Sequence, residues 1–593
     1  MVSVMSVSER RKKSIIVFMS LIIIMFSISV YAPSTPSNTN LKRFSGMDEL
    51  ELFLKDRSLG SNIFMKDFLA LDVTTMQTNV RESSQDYSYQ YSYSTTNIQV
   101  SGVDEADIVK SDGRYIYVSS GDTIYIVKAY PPEGGKVVSK IKLEGTYKPQ
   151  IYIRGDKLVV IGSAQVVIFA KIYPTPAPMS FVKVYDVSDR SSPVLVRDLT
   201  VNGSISGSRM IGDYLYIVSN KWPYAYDFEN KEMKVELPSY TCDGVSKEIP
   251  PEKIYYIESQ EGRYSFITVI SVNVADENVP PSDETFLAGA SSCMYVSREN
   301  MYLVAHQYRP VVITSNLKPV TEWRDEMLIY RLRLREGNIK IEGSGSVPGQ
   351  VLNQYSMDEY NGYFRIATTK WTSSGSENGI YVMDMMMQVV GSVEGIAPGE
   401  RIYSARFMGD RCYLVTFRQV DPFFVVDLSD PSNPKILGYL KIPGYSSYLH
   451  PFDENHIIGV GKEGNNVKLS LFDVSDVKVP KEVAKFTMDF YYSDSEVLYD
   501  QKAFLFDAGK HLLSIPVSWT EGKSVLSYFR GACVFNLTLD GGFVLRGIIL
   551  HQNDQDGVRR ILYIDNILYT VSGSQLRMSD LTTLELIKSV DLR

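Results

Sequence analysis

A short motif with the pattern Asp-x-Ser-Asp-x-x-x-Pro occurs three times in this chain, each time at the end of an apolar, β-type run. The copies run from Asp186 to Pro193, from Asp427 to Pro434 and from Asp473 to Pro480. Because Asp and Ser side chains bond nearby backbone N–H groups and proline ends the turn, each copy predicts a hairpin turn. The last two copies lie 46 residues apart, and a period in the forties with alternating strands predicts a repeat architecture.

From about residue 97 the chain repeats one kind of unit. Each unit has a short run, a turn of Gly-Asp, Asp-Gly or Glu-Asn type, a second run rich in Tyr, Leu and Val, and two further runs. The turns have the composition of β-hairpins. They begin at Asp112, Gly155, Gly212, Glu299, Asn361, Gly409, Glu454, Gly509 and Asp565. These nine four-stranded units predict an all-β fold, a β-propeller of eight or nine blades.

The residues before the repeats predict an exported or anchored protein. Four consecutive basic residues that begin at Arg10 precede an apolar run that ends at Val30. This order is typical of a secretion signal, and the run also reaches the short limit for a membrane span. We therefore predict that residues 1–32 form either a signal peptide or an uncleaved N-terminal membrane anchor with its basic end inside. In both cases the bulk of the chain is expected to be extracytoplasmic.

Residues 33–96 predict a connection between that segment and the repeats. Pro, Ser, Thr and Asn dominate residues 33–43, which indicates a tether. The run Ser45-Gly-Met-Asp48 resembles a capping box, and apolar residues follow on one helical face, which predicts a short helix at about 46–57. A Ser- and Tyr-rich linker follows, and the β-propeller is predicted to occupy residues 97–593.

Two stretches of the chain resemble a known family. The run from Ser94 to Tyr117, STTNIQVSGVDEADIVKSDGRYIY, resembles the opening signature of the secreted β-propeller domain family of archaea and bacteria, which is distantly related to WD-repeat proteins. The run from Arg560 to Ser572, RILYIDNILYTVS, is similar to the last blade of that family. The resemblance spans about residues 94–593 and implies export and a propeller. It implies no reaction, because the family has no established activity.

The net charge argues against one class of partner, and the cysteines bear on disulfide bonds and zinc binding. The chain has a formal net charge of −8 at pH 7, which argues against a nucleic-acid partner because such a partner needs a basic face. Export permits disulfides. Cys242 lies in a loop-like insertion, so we expect it to pair with Cys293, whereas Cys412 and Cys533 lie in strand-like runs typical of buried thiols. No two cysteines have the C-x-x-C spacing that would favour zinc.

Asp104, Glu105 and Asp107 form an acidic cluster, which is the weak candidate for a metal site. Carboxylates are ligands that Ca²⁺ prefers, and the Asp/Ser turns offer further carboxylates. Asp104 and Glu105 point to opposite faces if the segment is a strand, so a joint site would need a turn. The residues therefore favour structural roles, no metal and no cofactor, with Ca²⁺ binding as the alternative. No serine-hydrolase, phosphate-loop or dinucleotide fingerprint occurs in the chain.

The four tryptophans predict a binding face. Each lies between the second and third runs of its unit, and the segments that join those strands emerge on one face of every blade. The Asp/Ser turns join the third and fourth strands and emerge on the opposite face. Loops on a rigid scaffold commonly carry ligand sites, and exposed tryptophans anchor them. The candidate binding residues are Trp222, Tyr224, Tyr226, Trp323, Trp371 and Trp519. The alternative is that each tryptophan packs its own loop onto the blade edge.

These observations favour a non-enzymatic function: an extracytoplasmic binding or interaction scaffold for a protein or glycan ligand, carried on the face of the strand 2–3 loops. The first alternative is a carboxylate-dependent hydrolase or lyase acting on a polysaccharide or peptide in the central depression. The second alternative is a structural component of a surface layer. Propellers host binding and catalysis alike, so the fold does not choose between them. A membrane contact is expected only through the N-terminal segment, if it is uncleaved.

Overall fold

The computed structural model describes residues 41–58, 92–146, 148–168, 175–227, 230, 232–256, 264–289, 291–315, 318–372, 375–417, 421–522, 528–551 and 557–593. The predicted signal or anchor segment, residues 1–32, lies outside these ranges. Among the described residues, no helix is both long enough and apolar enough to cross a membrane.

Nine sheets, each built on four antiparallel strands, form a nine-bladed β-propeller, which confirms the predicted fold class and fixes the number of blades. The blades are numbered in chain order, and the strands of each blade are lettered a to d from the innermost to the outermost. Blade 1 has Val109–Ser111, Tyr115–Ser120, Thr123–Lys128 and Lys136–Lys142. Blade 2 has Gln150–Arg154, Lys157–Ile168, Thr175–Asp186 and Val194–Asn202. Blade 3 has Ser204–Ile211, Tyr214–Lys221, Ser265–Asn273 and Ser282–Ala288.

The next four blades follow without interruption. Blade 4 has Ser291–Val296, Asn300–Ser315, Lys318–Arg335 and Asn338–Pro348. Blade 5 has Gln350–Val351 with Met357–Tyr360, Tyr363–Thr372, Gly375–Met383 and Val389–Ile396. Blade 6 has Arg401–Met408, Arg411–Phe417, Asp421–Asp427 and Lys435–Ile442. Blade 7 has Tyr445–Pro451, His456–Glu463, Asn466–Asp473 and Lys481–Thr487.

The last two blades complete the ring. Blade 8 has Tyr492–Asp494 with Leu505–Asp507, Leu512–Thr520, Tyr528–Thr538 and Gly542–Leu550. Blade 9 has Val558–Ile564, Ile567–Ser572, Gln575–Asp580 and Leu586–Asp591. Strand a is split into two pieces in blades 5 and 8, and short 3₁₀ turns at Gln354–Ser356, Glu496–Leu498 and Gln501–Ala503 fill the breaks.

The core lies between the blades. A strand whose sheet is covered on both sides reads as a continuous apolar run, because successive side chains alternate between the two covering neighbours. In strand b of blade 2, Leu158 and Val160 pack with blade 1, whereas Val159 between them packs with blade 3. All three side chains are fully buried. This double burial explains why the strands show little polar alternation.

Packing, rather than exchange of a strand, joins the last blade to the first. Ile116 and Val118 of blade 1 share one buried cluster with Tyr569 and Val571 of blade 9. The Tyr569 hydroxyl also donates to the Ala129 carbonyl oxygen at 2.9 Å. The four strands of each blade therefore come from one part of the chain, and the ring closes through side chains.

The Asp/Ser motifs form turns between strands c and d, as predicted. In the first copy, Asp186 Oδ1 accepts hydrogen bonds from the backbone N and Oγ of Ser188 at 2.9 and 2.6 Å. The third copy repeats this arrangement between Asp473 and Ser475 at 2.9 and 2.6 Å. These hydrogen bonds lower the pKa of Asp473 below its ordinary value.

These turns also fasten neighbouring blades. Ser139, on strand d of blade 1, donates to the carbonyl oxygen of Arg190 in the turn of blade 2 at 2.6 Å. Gly391, on strand d of blade 5, lies so close to the turn of blade 6 that a Cβ there would stand 2.3 Å from the Pro431 carbonyl oxygen. Each of these turns therefore sits against the outer strand of the preceding blade.

A long insertion between strands b and c of blade 3 covers two sheet edges. Its hairpin Ser239–Cys242 and Val245–Glu248 extends the outer edge of blade 2. Ile254–Tyr256 pairs with strand d of blade 3, and the N-terminal strand Lys42–Arg43 pairs with Ile254–Tyr256 in turn. A second hairpin, Tyr224–Asp227 with Glu232–Val235, and a 3₁₀ turn at Pro251–Lys253 complete the insertion. Covered edges cannot template pairing with another chain.

An α-helix at Met47–Ser58 packs on this insertion. Ser45 precedes it and donates from its backbone N and Oγ to Glu49 Oε2, at 2.6 and 2.7 Å. The capping partner is thus Glu49. Leu50 and Leu54 are buried in a cluster with Tyr256 of the insertion. The helix therefore covers the outer side of blade 3.

Candidate functional site

Residues 92–108, which we name the channel segment, cross the centre of the propeller. Backbone hydrogen bonds join this segment to the innermost strands of three blades: Ser94 to Tyr563 of blade 9, Asp104 to Met210 of blade 3, and Asp107 to Ile151 of blade 2. The first part of the family signature, residues 94–108, therefore lies inside the channel, and the remainder forms the first two strands of blade 1.

Side chains of the channel segment reach further blades. Asn97 Nδ2 donates to the Gln501 carbonyl oxygen of blade 8 at 3.0 Å. Gln99 Nε2 donates to the carbonyl oxygens of Gln354 and Met357 in blade 5, at 3.0 and 3.2 Å. These acceptors lie at or beside the breaks in strand a, where the carbonyl oxygens of Gln354 and Gln501 also accept the N–H groups that close the 3₁₀ turns. The breaks in blades 5 and 8 thus bind the segment.

The acidic cluster of the channel segment is neutralised by cations of the protein. Asp104 accepts from Lys110 Nζ at 2.7 Å, and Asp107 accepts from Arg560 Nε at 2.9 Å. Glu105 lies 3.7 Å from the guanidinium of Arg209. Within the described ranges, no group of three or more His, Cys, Asp or Glu side chains has the arrangement of a metal site. The contacts of these three carboxylates are those of structural groups.

A buried ion-pair network anchors the end of the channel segment. Arg560 of blade 9 bonds both Asp107 and Asp500 of blade 8, and its side chain is only 4% exposed. Burial alone would raise the pKa of Asp500, but the charges of Arg560 and Lys502 outweigh it and lower that pKa. Burial lowers the pKa of Lys502. A cavity of about 30 Å³ beside these groups has room for one or two water molecules and is too small for a sugar ring.

The tryptophan-bearing ends of the blades lie on one face, which we name the b–c face after the strands whose connections it carries. Trp371 is the second-last residue of strand b of blade 5 and is 61% exposed. Trp222 follows strand b of blade 3 and is 44% exposed. The Tyr224 ring lies 5.9 Å from the Trp222 ring. Tyr226 lies in the adjoining hairpin and Trp323 in strand c of blade 4, and the side chains of both are outside the described atoms.

Trp519 differs from the other candidates because it is buried. It is 5% exposed, and its ring stacks between Phe490 at 5.2 Å and Phe529 at 5.5 Å. A ring held between two others has no free face for a ligand. Trp519 therefore packs its own blade edge, as the alternative interpretation of the tryptophans expected.

The expected Cys242–Cys293 disulfide is absent, because all four cysteines are free. Cys242 lies in the hairpin at the outer edge of blade 2, whereas Cys293 lies in strand a of blade 4. Their surroundings differ too, since each packs with a different buried cluster. Burial raises the pKa of Cys293 to about 12, so it stays a protonated thiol.

The b–c face also carries a second set of aromatic rings, which contains no tryptophan. The tyrosine row, as we name it, consists of Tyr403, Tyr445, Tyr492 and Tyr499. These residues lie on strand a, or in its break, in the three consecutive blades 6, 7 and 8. Strand a lines the channel, and its first residues lie at the b–c face. The row therefore follows the mouth of the channel.

Ring contacts between blades 6 and 7 connect the inner two members of the row. The rings of Tyr403 and Tyr445 lie 5.2 Å apart, and the Phe417 ring lies 5.4 and 5.1 Å from them. Tyr492 is 37% exposed and Tyr499 is 63% exposed, whereas Tyr403 and Tyr445 are half-buried. The inner end of the row is thus fixed by packing, and the outer end presents open rings to solvent.

One ion pair lies between the two exposed rings. Lys462 Nζ is 3.2 Å from Asp494, lies 4.4 Å from the centre of the Tyr492 ring and donates to its hydroxyl at 3.3 Å. The Tyr499 hydroxyl donates to Asp494 Oδ2 at 3.2 Å. Burial alone would lower the pKa of Lys462, but the contacts with Tyr492 and Asp494 outweigh it and raise that pKa. The outer end of the tyrosine row thus combines two aromatic rings with a hydrogen-bond donor and an acceptor whose charges cancel each other.

The sequence contained one signal for this row. Tyr445 and the pair Tyr491-Tyr492 lie at the start of the first run of their repeat units, which is the end of that run on the predicted tryptophan-bearing face. Apolar and aromatic residues fill most strands of this chain, so tyrosines at strand starts resemble core residues. Only the blade order brings Tyr403, Tyr445 and Tyr492 together.

The closed ring, the filled channel and the aromatic b–c face define a class: a nine-bladed β-propeller protein. The chain belongs to the beta propeller domain family, whose profile matches residues 93–584. The resemblance drawn from the opening signature and the last blade is confirmed.

Two archaeal proteins are similar to this chain over most of its length. An uncharacterised protein of Archaeoglobus fulgidus is 30% identical over 578 residues, which cover 84% of this chain and 85% of that protein. An uncharacterised protein of Methanocaldococcus jannaschii is 29% identical over 605 residues, which cover 90% and 89%. Among solved structures, Hsv2 of Kluyveromyces marxianus matches 63% of this chain and 94% of its own with 8% identity and a TM-score of 0.32. A TM-score this low supports no argument about function.

Proposed function

We propose that this protein is an extracytoplasmic binding scaffold that holds a ligand on its b–c face. The observation that carries the proposal is that the channel segment lies in the centre of the ring, whereas aromatic side chains are exposed on the b–c face. The channel segment occupies the centre, where propeller enzymes would need an open depression, and its carboxylates are bonded to cations of the protein. The b–c face instead presents Trp222, Trp371 and the outer rings of the tyrosine row.

The exposed rings support binding on physical grounds. A large apolar side chain that stays exposed leaves a favourable contribution to be gained when a partner covers it. Trp371 and Tyr499 are each more than half exposed. Aromatic residues of this kind supply most of the binding free energy at interfaces. The basic segment and apolar run at the N-terminus support the extracytoplasmic location.

The location is tested by treating intact cells of the source organism with a protease. We expect the full-length protein to be cleaved in intact cells, because the propeller lies outside the membrane. A cytoplasmic marker protein must stay uncut in the same sample. Protection of the propeller until the cells are lysed would contradict the extracytoplasmic part of the proposal.

The binding face is tested by measuring how purified full-length protein sediments with cell envelopes of the source organism. We expect Trp222→Ala, Trp371→Ala and Tyr499→Ala to fold normally and to bind envelopes more weakly. Tyr439→Ala is the matched control, because Tyr439 is 57% exposed but lies on the outer strand of blade 6. Equal binding by all four variants would contradict the proposal. Unfolding of Trp222→Ala would instead favour a packing role for that ring.

A further inference from the structure

The tyrosine row has the chemistry of a carbohydrate platform, and this inference rests on the proposed function of the b–c face. The outer end of the row presents the exposed rings of Tyr492 and Tyr499 with the Lys462–Asp494 pair between them. We propose that it binds a neutral polysaccharide chain, with successive sugar rings lying over Tyr492 and Tyr499.

The flat faces of the rings fit a pyranose. A pyranose ring directs axial C–H groups above and below its plane and equatorial hydroxyl groups outward within the plane. The C–H groups carry a small positive charge, which the negative face of an aromatic ring attracts. Tyr499 is 63% exposed, and Tyr492 remains 37% exposed although Lys462 Nζ lies over its ring, so a ligand can reach both rings.

The polar groups fit the hydroxyl groups of a sugar. Lys462 and Asp494 are already bonded to the two ring hydroxyls, at 3.3 and 3.2 Å, so their positions between the rings are fixed before a ligand arrives. An amine donates and a carboxylate accepts, which matches a hydroxyl group that does both. Positions fixed in advance lower the entropy cost of binding.

The charge of the patch favours a neutral ligand over an acidic one. Lys462 and Asp494 are 3.2 Å apart and cancel each other. The amine is therefore already occupied and does not offer an unbalanced charge to a carboxylate or sulfate group. The two open rings and Asp494 belong to blade 8, and Lys462 belongs to blade 7, so the patch spans neighbouring blades and suits consecutive sugar rings of one neutral chain.

The test is isothermal titration calorimetry of the full-length protein with laminarin, glucomannan and chitohexaose. We expect at least one of these neutral carbohydrates to bind with an affinity that does not change between 50 and 500 mM NaCl, since no net charge is involved. Tyr492→Ala should weaken that affinity about tenfold, the effect of losing one stacked ring. Tyr492→Phe keeps the ring and should stay within about threefold, and Tyr439→Ala should bind like the wild type.

Three outcomes would overturn the carbohydrate inference: no heat of binding with any of the three ligands, equal losses in Tyr492→Ala and Tyr439→Ala, or binding restricted to an acidic polymer such as polygalacturonate and abolished by salt. The envelope assay separates this failure from failure of the proposed function. If Tyr499→Ala loses envelope binding while no neutral carbohydrate binds, the face is a binding face for another ligand, such as a protein. If no variant of the b–c face alters envelope binding, both proposals fail.

Discussion

Replacing Arg560 with methionine should destabilise the whole ring, because this one side chain joins three parts of it. Arg560 belongs to blade 9 and bonds Asp107 of the channel segment and Asp500 of blade 8. The side chains of Arg560 and Asp107 are 4% and 3% exposed. Methionine preserves much of the side-chain volume but leaves Asp107 as a buried charge without its cation.

The magnitude follows from this burial. Removing one partner of a buried ion pair destabilises a protein by about 3–5 kcal/mol, since the remaining charge loses both water and its partner. An exposed ion pair contributes about 0–1 kcal/mol. Arg154 and Asp213 form such a pair, with side chains 45% and 50% exposed. Arg154→Met is therefore the matched control for Arg560→Met.

Urea denaturation followed by circular dichroism measures the difference. We expect a clearly lower midpoint for Arg560→Met and a midpoint near that of the wild type for Arg154→Met. The double variant Asp107→Asn with Arg560→Met should recover part of the loss, because it removes the unpaired charge. A midpoint for Arg560→Met that equals that of Arg154→Met would refute the reasoning that the channel segment is fastened by buried charge.

Three further predictions concern stability. The pKa of Asp500 is lower in the folded state than in the unfolded state, where it is about 3.9. The carboxylate therefore stabilises the fold above the unfolded-state pKa, and this stabilisation is lost as the pH falls through the folded-state pKa. Melting temperatures should drop more steeply in acid for the wild type than for Asp500→Asn. Gly391→Ala places a Cβ 2.3 Å from a carbonyl oxygen of the next blade and should cost about 1–3 kcal/mol, whereas Gly522→Ala meets open space and should be neutral in urea denaturation. Trp519→Ala removes a buried, stacked ring and should cost about 3–5 kcal/mol, whereas exposed Trp371→Ala should change the unfolding free energy little.

The repeats were predictable because local chemistry encodes them. The Asp-Gly and Gly-Asp turns fix where strands a and b meet, and the Asp/Ser motifs fix where strands c and d meet. Both signals depend on residues a few positions apart. Asp104 and Asp107 contact Lys110 and Arg560, because a carboxylate needs a cation or a donor wherever the fold buries it.

The centre of the ring could not be predicted in the same way. The partners of the channel segment, such as Tyr563 and Gln501, lie more than 400 residues further along the chain, and no local pattern points to them. The missing Cys242–Cys293 bond has the same cause, since spacing in the sequence does not tell which blade a cysteine joins. The tyrosine row likewise depends on the order of blades 6, 7 and 8.

The channel segment has a consequence for the order in which the molecule assembles. Its first contacts are with the last blade: Ser94 and Tyr563 are separated by 469 residues. During synthesis the segment leaves the ribosome before any strand that will surround it. Contacts between such distant residues form slowly, because a long loop must close first. Early blades can pair their own strands, but the segment acquires its full set of partners only when the ninth blade arrives. The contacts of the segment with Ile151 and Met210 need only blades 2 and 3, whereas its contact with Tyr563 and the closure of the ring both need blade 9. A chain truncated before residue 558 would therefore lose ring closure and the Ser94 contact together.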